Sequence, residues 1–268
     1  MKKIALTSLL AVFAAAGANA ANTMDGNPLY MPKAGHFYSV TDLSSATSGA
    51  NEAALAEEFG YGITDRFAID VKTSVAEHDW FHGNSWNDLG ADLTWRMIND
   101  SEWKLDLVGG FDMTPMWADH RPAFEKESTM YIWKAGVRGG YMTEDWTLSA
   151  HANFLYVNTE AFNWGDDDAD YDGEAFWANH VLNLGVAGHW TMSDRWSAVA
   201  SADYYKVMDH YNSVENHGWW TIAAGLNMNI DDTKYVGAYV TKDIDHEAAG
   251  EWVVQDGFGF GAKFGIDF

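Results

Sequence analysis

Apolar and polar residues alternate with a period of two along much of this chain. Leu89, Ala91, Leu93 and Trp95 alternate with Asp88, Gly90, Asp92, Thr94 and Arg96. The same pattern recurs in Trp103–Phe111, Tyr131–Tyr141, Trp146–Phe154 and Leu182–Trp190. It ends in Gly257–Phe268, where Phe258, Phe260, Ala262, Phe264, Ile266 and Phe268 take one face and Gly257, Gly259, Gly261, Lys263, Gly265 and Asp267 the other. Such alternation predicts strands with one apolar face. Charges such as Asp92, Arg96, Lys104, Asp106, Lys134, Arg138 and Lys263 fall on the opposite face in strand after strand. A soluble barrel built this way would lack a core. In a membrane the apolar set faces lipid and the polar set faces the lumen.

The connections alternate between short and long. Five short ones (Gly62–Arg66, Ile98–Ser101, Met142–Trp146, Met192–Trp196 and Ile230–Thr233) carry Asp or Asn, whose side chains accept hydrogen bonds in tight turns. Phe67, Trp103, Trp146 and Trp196 follow or end four of them and are expected to form an interfacial girdle. Six long, polar connections lie near Ser44–Asn51, Glu77–Ser85, Met113–Ser128, Thr159–Gly173, Met208–His217 and Ile244–Glu251. Together these predict an all-β fold, a transmembrane antiparallel up-and-down barrel of about 12 strands. Its short turns would be periplasmic and its long loops extracellular.

Composition and targeting agree. Met1-Lys2-Lys3, the apolar run Ile4–Ala16 and the Ala18-Asn19-Ala20 site make residues 1–20 a secretory signal peptide, cleaved after Ala20. Residues 21–34, with Asn27-Pro28 and Met31-Pro32, form an irregular periplasmic lead-in, and 35–268 the barrel. There is no cysteine, so no disulfide contributes. No later stretch has the roughly 20 apolar residues of a membrane helix. Fourteen Trp, 12 Tyr and 14 Phe suit aromatic girdles at both interfaces. Without the leader, 14 basic residues face 39 acidic ones, which excludes nucleic acid as a partner.

With a leader in front of it, a last strand of alternating aromatics ending on Phe268 resembles the C-terminal signature of Gram-negative outer-membrane β-barrels. That resemblance implies an outer-membrane location among lipid and lipopolysaccharide. It also implies a final strand, marked by Phe264, Ile266 and Phe268, that the barrel-assembly machinery reads and that closes on the first strand. The phrase Glu58–Phe67 is similar to those of small transporter-type barrels; it names no solute.

A barrel of this size is wider than the 8-stranded kind filled by side chains and narrower than 16-stranded porins. The expected lumen lining includes Asp70, Asp88, Asp92, Arg96, Lys104, Asp106, Lys134, Arg138, Asp203 and Lys263, with Arg66, Lys206, Asp112 and Asp267 in the same inward set. Small inward residues such as Gly90, Gly110, Gly185 and Gly261 would leave volume for water, or relieve strand curvature. The mixed charges either brace the wall or set a field across a pore. The function expected is a porin-like channel for passive diffusion of small polar or cationic solutes, without enzymatic activity.

Two loop features offer other chemistry. Asp168, Asp170, Asp172 and Gly173 match the opening of a calcium loop, with Asn179 where the closing Glu belongs and Glu174 as a substitute ligand. Otherwise, segment 166–174 is an acidic surface loop. The neighbours His78-Asp79, Asp119-His120, Asp209-His210 and Asp245-His246 gather at one rim and resemble the omptin proteases in residue type. Adjacent strand residues point to opposite faces, so no dipeptide is itself a dyad. A surface hydrolase, a transition-metal site, a structural or adhesive barrel and plain solvated loops are the alternatives. The His-x-Ser motif of outer-membrane phospholipases is absent.

Overall fold

The computed structural model describes residues 26–46, 53–78, 83–116, 128–159, 180–208, 218–245 and 257–268. The expected leader 1–20 and the calcium-loop residues Asp168, Asp170, Asp172 and Glu174 lie outside them. So do the rim pairs, apart from the backbones of His78 and Asp245.

Twelve strands follow in order: β1 Phe37–Ala46, β2 Ala53–Thr64, β3 Phe67–His78, β4 Gly83–Asn99, β5 Trp103–Met116 and β6 Ser128–Met142, then β7 Trp146–Thr159, β8 His180–Ser193, β9 Trp196–Val207, β10 Gly218–Asp231, β11 Lys234–Asp245 and β12 Gly257–Asp267. Each pairs antiparallel with its neighbours in sequence, and β1 pairs with β12, from Tyr38↔Asp267 to Ala46↔Gly259, so the sheet closes. The fold is therefore the expected closed up-and-down barrel. Closure removes both sheet edges and satisfies the backbone in hydrocarbon.

The alternation sets the two faces. Leu89, Leu93, Leu148, Val186, Leu226, Val240 and Phe260 stand exposed on the outside, while Asp106 and Asp203 are 0 % and 1 % exposed inside. Phe67, Trp103, Trp146 and Trp196 each open a strand at the short-turn rim. There Trp103 and Trp146 each lie edge-on or tilted against Tyr141 at 5.2 Å. Tyr156, Trp220 and Phe258 are exposed nearer the long loops, with Tyr204 packed on Trp220 at 4.9 Å. An apolar belt between two aromatic rows is a lipid-facing surface.

Several details differ from the sequence reading. β5 runs on to Met116, and β8 starts only at His180. Four of the five short turns carry a register shift, as between Arg96 and Ile98, so Met97 and Ile98 both face outward. In three of the five short turns the side-chain acceptor is a hydroxyl, Thr64, Thr143 or Ser193, rather than an acid. Asp231 plays the expected part in the fifth, accepting from the Thr233 amide at 2.9 Å. Arg66 sits exposed in the first turn, not in the lumen. Lys206 takes the outward face of β9, because Asp203 and Tyr205 are the buried, inward positions.

Candidate functional site: the barrel lumen

The inward side chains of β2–β6 form an ordered ladder of charges. In one row Lys72, Gly90 and Asp112 are register partners across β3, β4 and β5. The Lys72 ammonium reaches over the glycine to Asp112 at 2.7 Å. In the next row Asp92, Gly110 and Lys134 align across β4, β5 and β6, with Lys134 Nζ 2.6 Å from Asp92 Oδ2. The third row has no glycine. Arg96 and Arg138 flank Asp106 and both donate to it: Arg96 Nε at 2.8 Å and Nη2 at 3.0 Å, Arg138 Nη2 at 2.8 Å and Nε at 3.1 Å.

The glycines make this possible. A Cβ at Gly110 would stand 1.8 Å from Asp92 Oδ1, and one at Gly90 2.1 Å from Asp112 Oδ1 and 2.4 Å from Lys72 Cε. The pattern recurs elsewhere. Tyr38 lies over Gly60 to donate to Asp70 at 2.7 Å. His151 Nε2 meets Asp203 Oδ1 over Gly185 at 2.9 Å, with Asn183 beside both. Tyr239 lies over Gly261 to reach Asp42 at 2.8 Å, and Lys263 stands 3.3 Å from the same carboxylate. So the inward glycines do not leave open volume, as the sequence suggested. Gly60, Gly90, Gly110, Gly185 and Gly261 are each covered by a neighbour's side chain laid along the wall, and backbone closes over Gly62 and Gly140.

The expected lining residues Asp70, Asp88, Asp92, Arg96, Asp106, Lys134, Arg138, Asp203 and Lys263 all lie on the inner face, but not evenly spread. Lys104 is also inward, though its ammonium turns down to Asn99 and the carbonyl of Asp100 in the β4–β5 turn. Six carboxylates (Glu58, Asp70, Asp88, Asp92, Asp106 and Asp112) crowd the β2–β5 wall, against the bases Lys72, Arg96, Lys134 and Arg138 on β3, β4 and β6. Tyr38 Oη touches Glu58 at 2.6 Å as well as Asp70. Across the lumen Ala187, Val199, Ser201, Ala223 and Gly225 form a band of small neutral residues, with the buried Asp203 two places beyond Ser201 on β9.

The sequence reading missed how the short-turn mouth is filled. Residues 26–34 run across it as a strap. Asn27-Pro28 starts a turn, with Tyr30 N donating to Asn27 O at 3.1 Å and Leu29 N to Asn27 Oδ1 at 3.0 Å. Pro28 and Leu29 are fully buried. The Leu29 carbonyl accepts from Arg96 Nη2 at 2.6 Å, so the arginine row also holds the strap. Tyr30 Oη reaches Asp267 at 3.2 Å on β12, and Asn27 meets Met142 on β6. Gly26 and Gly35 bracket the strap, both in the left-handed region at φ 80° and 81°. Gly62 admits its backbone, since a Cβ there would lie 2.0 Å from Lys33 O. Between Gly26 and the small-residue wall a cavity of about 70 Å³ remains. Towards the long loops, Ile132, Leu155, Val157, Val181 and the stacked pair Tyr205–Trp219 form an apolar lining.

No protein-family model matches this chain, and no curated protein matches its sequence. Solved structures do match its fold. The NanC porin is 9 % identical with a TM-score of 0.59, over 85 % of this chain and 98 % of its own. The translocator domain of the autotransporter NalP from Neisseria meningitidis is 9 % identical at 0.54, over 98 % and 96 %. An outer membrane channel from Pseudomonas putida F1 is 11 % identical at 0.52, over 92 % and 100 %. With its lipid-facing belt and closed antiparallel sheet, the chain is a β-barrel of the outer-membrane type.

Proposed function

We propose that this barrel is an outer-membrane channel for small polar solutes, with a preference for cations. In this reading the strap 26–34 closes its periplasmic mouth. One observation carries the reading: the lumenal charges pair along the wall, over glycines, rather than across the axis. A barrel meant only as a scaffold gains most from side chains that interdigitate at its centre. Here a charged wall faces a band of small side chains, and the cavity beside Gly26 lies along that band. The excess of carboxylates supports the cation preference. Two of the barrels similar in fold are a porin and an outer membrane channel. The strap and the apolar lining above favour a second reading, a structural barrel that conducts nothing.

Planar-bilayer recording separates the two, using the strap as a switch. A Cβ at Gly26 would stand 3.7 Å from the Cβ of Val199, a separation that a disulfide spans. The chain has no cysteine of its own, so Gly26→Cys with Val199→Cys gives a single defined bridge. The reduced protein should show discrete conductance steps and the oxidised protein should be silent. Silence in both states, from protein that keeps its heat-modifiable folded band, favours the structural barrel. Equal conductance in both removes the strap from the gate.

A further inference from the structure

From β6 to β10 the inner face changes character in steps toward the long loops. His151, Gly185, Asp203 and Thr221 are register partners across β7, β8, β9 and β10. One inward step nearer the loops lie Asn153, Asn183, Tyr205 and Trp219, again in register. The next step is aliphatic, Leu155 against Val181, with Val157 and Ile132 beyond it. The aromatic and aliphatic side chains of these steps are all buried. Acid, amide and aliphatic layers thus follow one another along the same wall.

Asp203 is placed unlike the other lumenal carboxylates. Asp42, Asp92, Asp106 and Asp112 each meet a lysine or an arginine. Among the described residues no lysine or arginine reaches Asp203, whose ionisable partner is His151. Its Oδ1 is fixed from two sides, by His151 Nε2 at 2.9 Å and by Asn183 Nδ2 at 3.4 Å. Asn183 is fixed in turn, because its oxygen meets His151 Nε2 at 3.0 Å and Asn153 Nδ2 at 2.9 Å. Thr221 is turned to Asp243, donating to its Oδ1 at 2.7 Å. The other oxygen of Asp203, Oδ2, is buried and accepts from none of the described residues. A carboxylate oxygen so deep calls for a donor or a cation. Taking the barrel as the channel proposed above, we infer that Asp203 Oδ2 binds the cationic head of an organic ammonium solute, and that the aromatic and aliphatic layers above it take the solute's apolar body. An ammonium N–H supplies the missing hydrogen bond with charge assistance. The aliphatic layer offers a hydrated alkali ion no oxygen to replace its water, whereas burying a hydrocarbon chain or ring there is favourable.

Planar-bilayer recording with phenethylammonium as the probe tests this. Added on the long-loop side, it should block the potassium current of the parent channel. Methylammonium, a head without a body, and phenethyl alcohol, a body without a head, should each block about tenfold more weakly. These comparisons need no variant. Asp203→Asn keeps the shape of the side chain and should weaken the phenethylammonium block about tenfold, the factor for one lost hydrogen bond to a charged group. No block of the parent, a block that methylammonium matches, or a block that Asp203→Asn leaves unchanged overturns the inference. The heat-modifiable band reports that the variant has folded. Equilibrium dialysis of phenethylammonium against folded protein in micelles separates the site from the channel. A silent barrel that binds the amine, and loses it with Asp203→Asn, ends the channel and keeps the site. A conducting barrel in which Asp203→Asn binds as the parent does ends the site and keeps the channel.

Discussion

At the residue scale, the lumen depends on atoms that are missing. Gly110 lets Lys134 and Asp92 meet from strands that are not neighbours, and a methyl group there would displace the Asp92 carboxylate. Gly110→Ala should therefore destabilise the barrel by about 1–3 kcal/mol, the range for overpacking a filled site. Gly109 is the control: a Cβ there meets nothing nearer than 3.8 Å. Gly109→Ala should be neutral or gain up to about 1 kcal/mol, since glycine is a poor strand residue. Urea unfolding in micelles reads both, and equal costs would mean that the ion pair does not depend on the glycine. The alternation of the sequence places these glycines inward. It does not show what covers them, because the covering side chain comes from the next strand and the register is not written in either strand alone. Hence small inward residues read as empty space. Lys206 was misplaced for a related reason: in Tyr204-Tyr205-Lys206 polar and aromatic character do not alternate, and only pairing with β8 and β10 fixes the face.

At the scale of elements, the strands were legible and the strap was not. Strands announce themselves by local period. The strap's partners, Arg96, Met142, Val199, Asn227 and Asp267, are scattered over most of the chain, and its own signals are a lone Asn-Pro turn and two glycines. The last strand shows how a local signal gains meaning from topology. Phe268 donates its amide to Phe37 O at 2.8 Å and accepts from Phe37 N at 3.4 Å, completing the final rung of the β1–β12 seam. It is also a girdle residue, 66 % exposed. Deleting Phe268 removes both bonds and the aromatic anchor at the one junction that closes the sheet. The deletion should cut the heat-modifiable folded fraction in outer membranes several-fold. Phe268→Trp, which keeps the rung and an interfacial ring, should keep most of it. A deletion variant that assembles normally would mean that β12 closes without its terminal rung.

At the scale of the whole molecule, charge is arranged asymmetrically. The carboxylates of β2–β5 outnumber the bases beside them, and the strands opposite carry fewer charges, Asp203 beside His151 among them, so the β2–β5 wall holds a fixed negative potential in the lumen. Buried pairs add little net stability, but removing one partner strands the other and costs about 3–5 kcal/mol. The ladder is therefore better understood as a device that holds a negative potential in place than as a source of stability. The Asp92–Lys134 pair tests this because its members act in opposite senses on the potential and in the same sense on the fold. In a salt gradient the reversal potential of the open channel should indicate cation preference. Asp92→Asn should weaken that preference, Lys134→Met should strengthen it, and the double variant should return near the parent, with both single variants less stable than the double. A reversal potential that does not respond to any of the three would place the ion path away from the β2–β6 wall. A change that follows stability rather than charge would make the ladder a brace alone.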